Sequence, residues 1–186
     1  MAIKWKHDNG YAFYFCTFTC HQWLPLFEIT QAYDTVYKWF QYLSTKQVYV
    51  AAYVIMPNHV HCLLYFPAPG FDLNKIIANA KRFMAYEIIR RLNAQSAHEL
   101  FKKLATDVSA HERRKGQLHK VFAESFDAKP VYSEAFFQQK VDYIHHNPVS
   151  GKWQLATDFT AYPHSSASFY EHNRVLHFSP VDYRCL

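Results

Sequence analysis

The sequence predicts an α+β fold, a central antiparallel sheet carrying a His-x-His strand and flanked by helices. Two apolar runs, 48–56 and 59–66, are separated only by Pro57-Asn58, the spacing of an antiparallel hairpin. Three other stretches, 30–43, 72–92 and 133–147, repeat their apolar residues at helical intervals. Helices set apart from antiparallel strands define the α+β class. At 186 residues and 50% hydrophobic content, the chain is expected to build one core, a single domain over 1–186.

The elements follow in order. Tyr11 to Cys20, rich in aromatics and threonine, reads as a first strand. Thr30 to Leu43 reads as a helix with Val36, Tyr37, Phe40 and Leu43 on one side. The hairpin Val48–Met56 and His59–Phe66 comes next, closed by the punctuation Pro67-Ala-Pro-Gly70. Asp72 then caps a long helix to about Leu92, whose core side is Leu73, Ile76, Ile77, Ala80, Met84 and Ile88. Lys75, Lys81, Arg82, Arg90 and Arg91 lie off that side, either as a solvated face or as a track for phosphates. From Asn93 to about Lys120 the chain is polar and reads as a helix with a mobile loop. Ser133 is placed to cap another helix, with Glu134 in its first turn and Pro148 at its end. Beyond Pro148 the chain looks irregular, with a short element near Ser165–Tyr170.

Composition narrows the function classes. A net charge of +5 leans mildly toward polyanions, and the 14 Tyr and 16 Phe include rings on which unpaired bases can stack, although most must be core. Only four glycines are present, with no phosphate-cradling or dinucleotide fingerprint. Cys16, Cys20, Cys62 and Cys185 form no Cys-x-x-Cys pair and read as reduced, mostly buried thiols. The first residues carry charge but no apolar core of a signal peptide, and no apolar run reaches membrane-spanning length. A cytoplasmic protein with no membrane partner is expected.

Two constellations carry chemistry. His59 and His61 are two apart on a strand, so both imidazoles project from one face while Val60, Cys62 and Leu64 take the other. One divalent cation can take a nitrogen from each; the plainer alternative is a pair of half-buried histidines bonded to neighbours. On the helix beginning at Ser133, Phe137, Val141 and Ile144 form the core stripe. About one residue's rotation away, roughly 100°, lie Phe136, Lys140, Tyr143 and Asn147. A phenol with a lysine and an amide beside it suggests a supported nucleophile; the alternative is an amphipathic helix whose Tyr covers the core edge.

Three motifs, Met56-Pro-Asn-His-Val-His61, Lys140-Val-Asp-Tyr-Ile-His-His-Asn-Pro-Val149 and Tyr162-Pro-His-Ser-Ser-Ala-Ser-Phe-Tyr170, stand in the order and at about the spacing of a known family. Together they resemble the HUH-type single-tyrosine DNA transposases, most closely the REP-associated tyrosine transposases, over Tyr11 to Tyr170. The resemblance implies an HUH endonuclease-like, ferredoxin-like sheet with the tyrosine helix across a divalent metal, Mg2+ or Mn2+. It implies that Tyr143 attacks a phosphodiester of single-stranded hairpin DNA, leaving a 5′-phosphotyrosine and a free 3′-hydroxyl for strand transfer. His59 and His61 are then metal ligands, Lys140 supports the phenolate, and Asn147 matches the family's third ligand. Some relatives carry the longer Gln at that position, which makes His146, i+3 from Tyr143, the substitute. Lys75, Lys81 and Arg82 would contact DNA phosphates. Relatives act as monomers or as homodimers that exchange the tyrosine helix. Rival readings are a replication-initiator-like HUH nickase and a host protein that holds palindromic hairpins without cutting them.

Overall fold

The computed structural model describes residues 12–185, so the expected strand start at Tyr11 falls outside the described residues. Strand β1 is Phe13–Thr19, β2 Tyr49–Met56, β3 His59–Tyr65 and β4 Asp127–Pro130, in the order β2-β3-β1-β4 with every pairing antiparallel. This is the ferredoxin-like arrangement, and it matches the expected α+β class. β4 is an addition to the sequence reading. Its residues, Asp-Ala-Lys-Pro, have poor strand propensity, and pairing with β1 at the sheet edge makes them a strand.

Alternation along the strands sends two apolar sets to opposite faces. Tyr14, Cys16 and Phe18 of β1 and Val60, Cys62 and Leu64 of β3 share one buried cluster. Two helices cover it, α2 (Tyr33–Thr45) and α3 (Leu73–Ala94). A short preceding turn, α1 (Leu26–Ile29), stops because the chain turns left-handed at Gln31 (φ 51°), which delays the expected start of α2 from Thr30. Asp72 caps α3 as its side chain accepts from the Lys75 N–H. Between α3 and β4 the polar stretch is more ordered than expected. It forms α4 (His98–Thr106) and α5 (Ala110–Arg114), anchored by buried Leu104 and Val108. A reciprocal capping box, Ser109 with Glu112, starts α5.

The other sheet face carries Phe15, Val54, Met56 and Leu63 and is covered by α6 (Glu134–His146) through Val141 and Ile144. Ser133 caps α6 by accepting from the Phe136 N–H, and a 3-10 turn, Asn147–Val149, continues it. The sheet is therefore buried on both faces, which the hairpin's near-continuous apolar run reflects.

β2 would be a bare edge, and the C-terminal segment covers it. Ile55 donates its N–H to the His164 carbonyl, Ser166 its N–H to Tyr53, and buried Tyr162 its hydroxyl to Ile55 at 2.8 Å. A bulge between Val50 and Ala52 interrupts the ladder at Ala51, whose carbonyl accepts the Tyr170 hydroxyl. Helix α7 (Ala167–His172) is the short element expected near Ser165. Cys16, Cys20 and Cys62 are buried free thiols and Cys185 is exposed. Among the described residues no helix is long and apolar enough to cross a membrane.

Two histidines anchor this C-terminal wrap. His145 on α6 is buried 2.9 Å from Ser166 Oγ, and His164 stacks on Tyr33 at 3.7 Å. Burial pushes each imidazole down from 6.5 to about 4, with His146 and His177 adding to the effect respectively. The neutral ring is the folded form, so stability should be full above about pH 6.5 and fall as pH drops toward 4, where the unfolded chain binds more protons. Urea midpoints between pH 7.5 and 4.5 check this, and a flat profile would contradict it.

Candidate active site

His59 and His61 project from β3 beneath α6, their ring centroids 4.6 Å apart. Both are more deeply buried than half-covered histidines, at 4% and 5% exposure. Each ring is oriented by a neighbour through Nδ1. His59 Nδ1 lies 2.6 Å from Asn58 Oδ1, and because an amide oxygen only accepts, the proton is on Nδ1. His61 Nδ1 lies 2.6 Å from the hydroxyl of Thr17, its cross-strand partner on β1. The His59 Nε2 lone pair is thereby left for another ligand, and Thr17 holds His61 by the same ring nitrogen, the arrangement in which metal-binding imidazoles are commonly held. Burial pushes His59 down to about 4, which Asn147 opposes and Lys152 reinforces. Burial, then His59 and Lys140, put His61 well below the ordinary range. Both rings are neutral at pH 7, as ligands must be.

Helix α6 brings its second stripe onto this pair. The Tyr143 ring is half exposed and stands edge-on to His61 with centroids 5.1 Å apart, against Phe15 at 5.9 Å. Phe15 in turn stacks on His61 at 5.5 Å. Lys140 holds its ammonium over the rings of Phe136, Phe15 and Tyr143, at 4.8, 5.1 and 5.8 Å. It makes no salt bridge among the described residues. Burial and then Lys129 lower its pKa.

Asn147, in the turn that continues α6, interacts with His59. Its Oδ1 is buried with no well-formed hydrogen bond, and the same is true of His61 Nε2. Buried polar atoms are rarely left unpaired, and these two orphans belong to one histidine of the pair and to the amide that interacts with the other. Two neutral imidazoles and an amide oxygen fit a divalent cation such as Mn2+, or Mg2+ with retained waters. The set has no carboxylate or thiolate. Among the described residues there is no cluster of three or more His, Cys, Asp or Glu side chains suited to a metal.

His146 is not part of this set. It is exposed, its Nδ1 lies 2.9 Å from the Asp142 carbonyl oxygen, and its ring stacks on Phe159, because it lies on the side of α6 away from the inward-facing Val141, Ile144 and His145. The three α3 cations are also not gathered here, since α3 covers the opposite sheet face. Lys75 and Arg82 are exposed, but Lys81 donates to the carbonyls of Ala123, Glu124 and Ser125 and ties down the loop before β4. Arg91 is similarly occupied with Asp34 and Glu87. Sequence reasoning missed Thr17, Phe15 and Lys152. Only the register of β1 on β3 brings Thr17 and Phe15 to His61, and no local pattern marks them. Asn58 lay within a quoted motif without a role.

No protein-family model matches the chain, and no curated protein matches it either. Among solved structures it is similar to a REP-associated tyrosine transposase bound to a REP hairpin, with a TM-score of 0.59, 17% identity, and 97% of this chain and 90% of the other covered. The fold is that of a REP-associated tyrosine transposase. A protein from Deinococcus radiodurans R1, provisionally named a transposase, gives a weaker likeness with a TM-score of 0.40, 19% identity, and 76% of this chain and 98% of that one covered.

If Asn58 and Thr17 set the imidazole tautomers, Asn58→Ala and Thr17→Val should each weaken Mn2+ binding about 10- to 100-fold. Titration calorimetry on the intact chain measures this, and histidine 15N shifts should show the Nδ1–H form before metal is added. Unchanged affinity in both variants would remove this role.

Proposed function

We propose that the protein is a metal-dependent single-strand DNA endonuclease and strand transferase of the REP-associated tyrosine transposase type, acting on DNA hairpins with Tyr143 as nucleophile. The observation that carries this reading is the Tyr143 ring 5.1 Å from the ring of His61. His61 belongs to a buried histidine pair that, together with Asn147, presents two orphaned polar atoms suited to a cation. Two of the three sequence motifs supply the same residues, and a solved structure of like fold is a transposase bound to a REP hairpin.

His59, His61 and Asn147 would hold a divalent cation, which would supply charge neutralisation and polarisation at the phosphodiester. The protein's own residues do the rest. Tyr143 Oη forms a bond to phosphorus while the bond to the 3′-oxygen breaks. The phenol gives up its proton and the departing 3′-oxygen gains one, leaving a free hydroxyl. A phenol ordinarily titrates near 10, and the Lys140 ammonium beside the ring favours the charge that develops on its oxygen. The rings of Phe15 and Phe136 keep that ammonium in place. A phosphodiester is exchanged for a phosphotyrosine ester, so a 3′-hydroxyl from another strand can reverse the step and join new ends without an energy cofactor.

The side chains argue for transfer over hydrolysis. Asp142, the carboxylate nearest in sequence to Tyr143, faces away and accepts from Gln138 at 3.0 Å, so it is not placed to activate a water. A complete nucleophile-and-ligand set in one chain supports action as a monomer. The intact trio of His59, His61 and Tyr143 speaks against a protein that only holds hairpins.

A labelled hairpin oligonucleotide with single-stranded flanks should be nicked and covalently captured with Mn2+ and left intact in EDTA. Tyr143→Phe should retain hairpin binding and nearly all stability while losing the adduct, since only a hydroxyl is removed. Mass spectrometry of the adduct decides. Phosphotyrosine at Tyr132 or Tyr170, or adduct formation by Tyr143→Phe, would sink the assignment.

A further inference from the structure

Trp23 is 60% exposed, an unusual position for an indole that the core does not need. It ends a tight turn, His21–Trp23, that leaves β1 at the level of the histidine pair. Gln22 and Trp23 both adopt left-handed backbone, with φ of 51° and 58°. A bulky residue there is strained, and such conformations persist where surrounding contacts impose them. Those contacts are present. His21 Nε2 lies 2.8 Å from Asp107 Oδ2, and the Gln22 amide donates to the same oxygen at 3.0 Å. The Trp23 carbonyl accepts from Asn58 Nδ2 at 2.9 Å. Asn58 is the residue whose other amide atom orients His59.

The result is a rigidly held indole whose ring stands edge-on to His59 at 5.7 Å, with much of its surface in solvent. Trp153 lies 6.4 Å from His59, and the Lys152 ammonium rests over its ring. An apolar aromatic surface with the Lys152 ammonium at its Trp153 end, next to the proposed nicking site, matches the chemistry of an unpaired nucleobase on its anionic backbone. A structural role for the ring is poorly supported, because exposure leaves little area to bury.

We propose that Trp23 is a stacking platform for an unpaired base adjacent to the scissile phosphate, so that single-stranded flank is recognised separately from the hairpin stem. This rests on the reading of the site as a DNA nickase, which the test keeps distinguishable. Asn58 then links the two tasks, holding the platform with its nitrogen and the His59 tautomer with its oxygen.

The experiment measures anisotropy of two hairpin oligonucleotides, one blunt and one with unpaired flanks carrying 2-aminopurine next to the stem. The full chain carries Tyr143→Phe so that no cleavage intervenes. Trp23→Ala should lower affinity for the flanked hairpin at least fivefold, within the range of about 5- to 150-fold for one stacked base. It should leave the blunt hairpin unchanged and abolish the 2-aminopurine quenching, and Trp23→Phe should restore most of both. Trp23→Gly accepts the left-handed backbone without strain, so it should match or exceed the parent in thermal midpoint while binding flanked DNA as poorly as Trp23→Ala. Equal losses on both hairpins, or unchanged flanked binding in Trp23→Ala and Trp23→Gly, would overturn the proposal. In a parallel assay with Tyr143 intact, nicking by Trp23→Ala together with native flanked affinity overturns the platform and leaves the nickase standing. Flank-dependent binding through Trp23 with no nicking by the Tyr143-intact chain does the reverse. No binding to either DNA overturns both.

Discussion

Burying His59 and His61 between the sheet and α6 removes two polar rings from water, and the surrounding elements are arranged to offset that cost. Each ring has one nitrogen satisfied, by Asn58 and by Thr17. The second nitrogen of His61 and the Asn147 oxygen stay unpaired, each costing on the order of 1–3 kcal/mol. The two-sided apolar packing of the sheet is what makes this tolerable. A chain that needed only a stable strand would gain by replacing these groups with aliphatic ones, so their retention points to a ligand. The same burial keeps the imidazoles neutral and their lone pairs available.

The position of Tyr143 depends on α6, and α6 is held from several sides. Val141 and Ile144 pack on the sheet, while His145 reaches the Ser166 hydroxyl that also accepts from the Tyr53 N–H of β2. The C-terminal segment thus serves two ends with one set of contacts: it closes the open edge of β2 and fixes the helix that carries Tyr143. Tyr183 adds to this by packing on Phe137 of α6. Tyr143 itself remains half exposed.

Charge is distributed with comparable economy. Of the α3 cations, Lys81 and Arg91 are absorbed by loop carbonyls and carboxylates, and only Lys75 and Arg82 of the three expected to contact phosphate stay exposed. The cations near the histidine pair are instead Lys140 and Lys152, each held over aromatic rings. A cation on a ring keeps its charge without a carboxylate partner that would compete with phosphate. The modest net charge of +5 therefore says less about DNA than the placement of these two lysines.

The sequence alone determined what local periodicity controls. Alternation put His59 and His61 on one face, and helical spacing put Lys140, Tyr143 and Asn147 on one stripe. The Pro57-Asn58 turn joined β2 to β3, and Asp72 and Ser133 marked helix starts. The capping box at Ser109 and Glu112 is equally local, although so polar a stretch has no apolar stripe for it to precede. What tertiary structure decided are relations between segments far apart in the chain. β4 exists only through its pairing with β1, Thr17 meets His61 only through strand register, and Lys81 meets its carbonyls only because α3 packs where it does. His146 and Asn147 are neighbours in sequence, yet one faces solvent and the other the histidines. A difference of one residue on a helix is about 100° of rotation, and which side meets the sheet is set by packing, which no local pattern encodes.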